Sequence, residues 1–187
     1  MATSNIFDKQ IQNRNFLSPT GFEFILNRSP KVAFFSNSAN IPGLNLGVAI
    51  QPSYLKDIDT PGDKIQFEDF TLRFIVDEDL TNYMEIHNWI SGLGYPESLS
   101  EIYDLQKEKS YSNIFDNNKM NIYSDGTLIV LGSSFNPNFK IKFSDLWPYS
   151  LTTLNFDATD TDIQYFTAEV TFKYTIYNIT DLNDNPL

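Results

Sequence analysis

The strongest hydrophobic rhythm in the chain lies between Gln164 and Tyr177. Phe166, Ala168, Val170, Phe172, Tyr174 and Ile176 occupy the even positions. Tyr165, Thr167, Glu169, Thr171, Lys173, Thr175 and Tyr177 occupy the odd ones. Apolar and polar residues alternate with period 2, the residues are mostly aromatic or β-branched, and neither Gly nor Pro interrupts them, so the pattern predicts a strand with two unlike faces. Unbroken, it would run roughly 40–45 Å, at about 3.3 Å per residue. A strand that long needs partners along its whole length, from its own domain or from neighbouring subunits.

A second stretch has the same character. Phe70, Leu72, Phe74 and Val76 alternate with Asp69, Thr71 and Arg73, which predicts a strand over 67–76. Asp77-Glu78-Asp79 then offers an N-cap and a first turn that suits acids. Leu80, Tyr83, Met84, His87 and Ile90 recur at helical spacing, and Ile86 and Trp89 widen the stripe. Gly92, Gly94 and Pro96 end the predicted helix, which spans about 78–92.

The remaining pattern is weaker. Phe22 to Leu26 and Lys31 to Phe35 predict a hairpin across the turn 27–30. A loop follows over 36–47 with Ile41-Pro42-Gly43, then a strand over about 46–51 ending at Pro52, then a second loop over 57–64 with Pro61-Gly62. Residues 97–118 form a polar insertion, with a short helix expected at 98–107. Asp125-Gly126 predicts a tight turn between strands 119–123 and 127–131. Phe139, Ile141 and Phe143 predict another strand, 145–148 a loop, 151–156 a strand and 157–162 a turn. Residues 1–18 are a polar N-terminal arm, 19–178 one β domain containing the insertion, and 179–187 a C-terminal tail. The predicted class is mainly β: an antiparallel β-barrel or sandwich with one flanking helix.

Composition narrows the chemistry. Thirteen Lys and Arg against 24 Asp and Glu give a net charge of −11, which opposes a cationic grip on nucleic acid and gives an acidic surface that repels DNA. Cysteine is absent, which excludes disulfides and thiolate metal sites. No apolar run reaches the ~20 residues of a membrane helix, and Met1 to Asp8 lacks the features of a secretory signal. His87 is the only histidine, read as a structural residue of the helix stripe, so catalytic constellations that need a second His or a Cys are excluded. Asp157, Asp160 and Asp162 lack the Gly and distal Glu of an EF-hand loop and read as a solvated turn. Catalytic, metal-binding and cofactor-binding residues are all expected to be absent, and the protein is expected not to be an enzyme.

The ordered set of elements is similar to the tail tube proteins of contractile-tailed bacteriophages. Four stretches carry the resemblance: the early strands followed by Ile41-Pro42-Gly43; Gly62 to Glu78 with Phe67-Glu-Asp-Phe-Thr71; the helix carrying Trp89; and Leu146-Trp147-Pro148 with Leu154 to Asp157 and the alternating strand to Tyr177. The resemblance implies β-barrel-like subunits that form hexameric rings, in which strands from six copies close a continuous inner barrel. The rings stack into a tube through which DNA passes without specific binding, inside a sheath and on a baseplate, in a virion tail assembled in the host cytoplasm; type VI secretion tubes have a similar fold. No membrane and no cofactor are implied. Under this resemblance Asp69, Thr71, Arg73, Thr167, Glu169, Thr171, Lys173 and Thr175 are candidates for the lumen side. The longer insertion and arms keep open a baseplate-side tube initiator or a tail terminator. From another class, a carbohydrate-binding or carbohydrate-cleaving β-sandwich requires an exposed aromatic platform or a carboxylate pair with raised pKa.

Overall fold

Two sheets share one strand. In the computed structural model, which describes residues 17–94, 96–107, 122–156 and 165–187, the strands are β1 (Phe22–Leu26), β2 (Ser36–Ala39), β3 (Leu44–Gln51), β4 (Ile58–Phe67), β5 (Phe70–Ile75), β6 (Ser124–Leu131), β7 (Pro137–Leu151), β8 (Thr167–Lys173) and β9 (Ile176–Thr180). The helices are α1 (Pro30–Phe34), α2 (Thr81–Gly94) and α3 (Ser100–Lys107). The first half of β7 pairs with β6 on one side and β9 on the other, and β6 pairs with β1. Its second half pairs with β8, which pairs with β5, which pairs with β2. All pairings are antiparallel, and the fold is mainly β, as the alternation predicts.

The corner between the sheets explains two departures from the pattern of the sequence. Residues 145–148 are not a loop, because β7 runs through them: Asp145 takes a left-handed conformation at φ 56, and the register shifts between Pro148 and Ser150. A proline in the middle of a sheet is tolerated at such an irregularity. The segment 164–177 is not one continuous strand. It breaks at Tyr174 and Thr175, β8 staying in one sheet and β9 crossing to the other, where the Thr175 amide donates to the Ser144 carbonyl at 3.0 Å. The expected strand at 151–156 shrinks to the end of β7 at Leu151. The expected turn at 157–162 lies outside the described residues.

The core fills the space between the two sheets. Phe24, Leu128, Ile141 and Phe143 meet Phe70, Leu72, Val170 and Phe172, and the ring of Phe70 lies 5.1 Å from Phe24 and 4.5 Å from Phe143. Helix α2 covers this core with Ile86 and Trp89, both buried. Its buried face is Asn82, Ile86, Trp89 and Gly92, rotated from the expected stripe, so that Met84 and His87 point outward. Trp89 accounts for the rotation: its indole N–H donates to the Ile122 carbonyl at 2.9 Å, and the Arg28 guanidinium lies 5.0 Å over its ring. His87 is therefore a surface residue rather than a packed one. The helix starts at Thr81, where the Thr81 hydroxyl donates to the Asp77 carboxylate at 2.7 Å. Helix α3 occupies the place expected for a short helix at 98–107.

Three further expectations give way. Lys31 to Phe35 does not pair with β1; residues 30–34 form α1, with Pro30 at the first helical position, where its fixed φ and missing N–H fit a helix start. Asp125-Gly126 is not a turn, because Gly126 sits inside β6 with partners on both sides, and a Cβ there would stand 3.1 Å from both Phe24 and Leu146. The chain reverses instead at 132–136, where the Gly132 amide donates to the Asn136 carbonyl at 2.8 Å. Residues 58–64 are not a loop: they belong to β4, which pairs with β3 from Phe67 opposite Leu44 to Ile58 opposite Gln51, with a register shift between Leu46 and Val48.

Candidate functional site

Two surfaces stand out, one polar and one apolar. The polar one is the outer face of β5 and β8. Their register places Thr71 opposite Thr171, Arg73 opposite Glu169 and Ile75 opposite Thr167. Because side chains alternate across a strand, the core takes Phe70, Leu72, Phe74, Ala168, Val170 and Phe172 and leaves Thr71, Arg73, Thr167, Glu169, Thr171 and Lys173 on the other face. Asp69, just before β5, joins them: it accepts from the Lys173 ammonium and, at 2.7 Å, from the Tyr149 hydroxyl. Lys173 also lies 5.1 Å over the Tyr149 ring. The Lys173 hydrogen bond, then that of Tyr149, hold the Asp69 carboxyl below its usual value, and the same carboxylate raises the pKa values of Lys173 and Tyr149. Arg73 Nε donates to Asn37 Oδ1 at 3.1 Å. Seven of the eight candidate lumen residues thus share one surface. Thr175 does not, because it falls in the break between β8 and β9.

This face is charge-balanced, with Asp69 and Glu169 against Arg73 and Lys173. The acidity of the chain concentrates elsewhere: from Asp77 to Asp104 there are seven acids and no Lys or Arg. The pattern did not single out Tyr149 or Asn37 as members of the polar face. Asn37 lies in the segment expected as the loop 36–47 and Tyr149 between the loop expected at 145–148 and the strand expected at 151–156, and only the pairing of β2 with β5 and of β7 with β8 brings them there.

The apolar surface is the ribbon formed by β3 and β4. Leu44, Leu46, Val48 and Ile50 alternate along β3 and face Phe67, Ile65, Pro61 and Asp59 of β4. Residues directly opposite in an antiparallel pair share a face. One side of the ribbon is therefore nearly all apolar, yet Leu44, Leu46, Val48, Ile50 and Ile65 are 53–66% exposed. Tyr54 and Leu55 at its tip are almost fully exposed. No residue of either strand is buried. The two strands approach closely where the register shifts: a Cβ on Gly62 would stand 2.5 Å from the Gly47 carbonyl oxygen. The ribbon's alternation was legible on β3, but Pro61, Gly62 and two aspartates, Asp59 and Asp63, hid it on β4.

Nothing in these surfaces forms a reaction centre. Among the described residues no group of His, Asp and Glu is arranged to hold a metal ion. The carboxylates with perturbed pKa, Asp69, Asp181 and Asp184, all move downward, the opposite of a carboxylic acid poised to donate a proton. Among the described residues no helix is long and apolar enough to cross a membrane.

A model of the phage tail tube protein family matches residues 2–180. The chain belongs to the phage tail tube protein family. Its role is accordingly that of a structural tail component and not of an enzyme. No curated protein matches the chain. The fold of this tail tube protein recurs in solved structures of contractile injection systems. A chain in the anti-feeding prophage baseplate superposes with a TM-score of 0.58 at 11% identity, covering 91% of this chain and 98% of that one. A chain in the tube-terminating cap of the same particle gives 0.56 at 15% identity, covering 95% and 99%. A chain in the extended sheath–tube complex of the PVC extracellular contractile injection system gives 0.53 at 17% identity, covering 97% and 99%.

Proposed function

We propose that this tail tube protein assembles with copies of itself into hexameric rings that stack into the tube of a contractile tail. Sheath and baseplate proteins are its neighbours, and DNA passes through the lumen. The observation that carries this reading is the exposed apolar face of the β3–β4 ribbon. Isolated two-stranded ribbons are marginal in water, and a continuous exposed apolar strip marks a contact surface. In this reading the strip is covered by another copy of the chain. The edge of the second sheet supports the same reading, since among the described residues β2 has a strand neighbour on one side only, and ring closure removes such edges.

In this arrangement the polar face of β5 and β8 lines the lumen. Its balanced charges and tight Asp69–Lys173–Tyr149 network leave few cations free to hold phosphate. Negative-stain electron microscopy across a concentration series tests the proposal. Rings and stacked tubes are the expected outcome. Rings that never stack would identify a tube initiator or terminator, and particles that stay monomeric at every concentration would overturn self-assembly of the isolated chain.

A further inference from the structure

The break at Tyr174 and Thr175 places two tyrosines at the root of the apolar ribbon. The Tyr174 hydroxyl donates to the Glu68 carbonyl at 2.7 Å, and the Tyr177 hydroxyl donates to the Pro42 carbonyl at 3.0 Å. One strand of the root is thus held through residue 68 and the other through residue 42. Between them the Glu68 amide donates to the Gly43 carbonyl at 3.0 Å, and Asn45 Nδ2 donates to Glu68 Oε1 at 3.1 Å. The ring of Phe67 meets both tyrosines edge-on, 6.0 Å from Tyr174 and 5.6 Å from Tyr177, and the two tyrosines lie 6.0 Å apart. Tyr174 and Tyr177 each also pack on Phe143 of the core, at 5.2 and 5.9 Å. Beyond this knuckle no residue of the ribbon's strands is buried.

A projecting ribbon of this length is a lever. Eight to ten residues at about 3.3 Å each extend about 30 Å, so a tilt of about 10° at the root moves the tip by about 5 Å. Docking of a projecting arm tolerates far less, because apolar contacts lose their attraction over fractions of an ångström to an ångström. We propose that Tyr174 and Tyr177 are positioning residues: their hydroxyls, gripping the Glu68 and Pro42 carbonyls on opposite strands, fix the direction in which the ribbon projects so that it meets the next copy without first being ordered. The link to assembly rests on the self-association proposed above; the fixed direction does not. A bound state that is already the populated one raises apparent affinity by the fraction it recovers.

The test uses the full chain. It contains no cysteine, so Tyr54→Cys at the exposed tip and Glu23→Cys on the exposed side of β1 take spin labels specifically. Pulsed dipolar spectroscopy is run on this pair with Val48→Asp added to hold the protein as a monomer. The tip-to-body distance distribution should be narrow, and should broaden by several ångströms when Tyr174→Phe and Tyr177→Phe are combined, since the rings stay but both grips are lost. In unlabelled protein with native Val48, the same double variant should raise the concentration for assembly about tenfold, as two lost hydrogen bonds depopulate the docking direction. Its melting temperature should change by only a few degrees. A distribution as broad with the tyrosines as without them, or unchanged by the double variant, would overturn the proposal. Broadening with assembly unaffected would overturn its link to docking. If wild-type protein never assembles, self-association fails on its own, and the distance distributions still decide whether the tyrosines fix the ribbon.

Discussion

Strands β3 and β5 carry the same alternation and meet opposite fates. Phe70, Leu72 and Phe74 on β5 are completely buried, whereas Leu44, Leu46, Val48 and Ile50 on β3 are more than half exposed. Nothing in the period distinguishes them, since both read as apolar every second residue. The difference lies in what stands opposite. The apolar face of β5 looks across the core at Phe24 and Phe143. That of β3 meets no cover among the described residues. Alternation states that one face of a strand is to be dried; it does not state whether the same molecule supplies the cover. In a protein of the tail tube family, the missing cover is where assembly is expected to act.

The largest effect comes from charging the core side of this comparison. Val170→Asp buries an unpaired carboxylate between the sheets and should abolish folding, read as loss of the cooperative denaturant transition. Phe70→Ala, at the centre of the aromatic cluster, should cost about 3–5 kcal/mol by chemical denaturation, with the fold retained only if the starting stability exceeds that. A smaller effect is expected at the polar face. The Asp69 pKa lies below its ordinary 3.8, first because of the Lys173 hydrogen bond. The Asp69–Lys173 pair therefore stabilises fully above that value and loses its contribution as pH falls below it. Urea midpoints of wild type should drop between pH 4 and pH 2 more than those of Asp69→Asn, by an amount typical of a surface pair, about 1 kcal/mol or less.

The two smallest stability effects carry the most information. Thr171→Asp, one residue from Val170 but on the opposite face, should stay within about 0.5 kcal/mol of wild type. If Thr171→Asp unfolds the protein while Val170→Asp does not, the face assignment is inverted. Val48→Asp should leave the denaturation curve almost unchanged, because the site is already wet, yet abolish higher-order particles in sedimentation and microscopy. A Val48→Asp protein that still forms tubes would remove the ribbon from assembly and leave its exposure unexplained.

Much of the polar face is legible in the sequence alone. The split of Phe70, Leu72 and Phe74 from Thr71 and Arg73, and of Val170 and Phe172 from Glu169 and Thr171, follows from period 2 by itself. The members that were missed come from distant segments. Asn37 reaches Arg73 because β2 pairs with β5, and Tyr149 reaches Asp69 across 80 residues of chain. The face of α2 was misread for a related reason: two rotations of the helix fit its apolar residues, and the partners of Trp89, Ile122 and Arg28, lie elsewhere in the sequence.

The local sequence by itself determined that β5 and β8 are extended, which side of each is dry, where a helix follows β5, and that neither disulfides nor thiolate metal chemistry enter. These properties depend on neighbours within a few residues, and a side-chain period of 2 or 3.6 records them directly. Only the tertiary structure decided that β7 turns from one sheet into the other at Asp145, that the long alternating segment breaks beside it, that Gly126 makes room for Phe24 rather than a turn, and that residues 44–67 leave the body as a ribbon. Each of these is settled by pairing between residues far apart in the chain. A shift of one residue in such pairing exchanges the faces of a strand without changing a letter of its sequence.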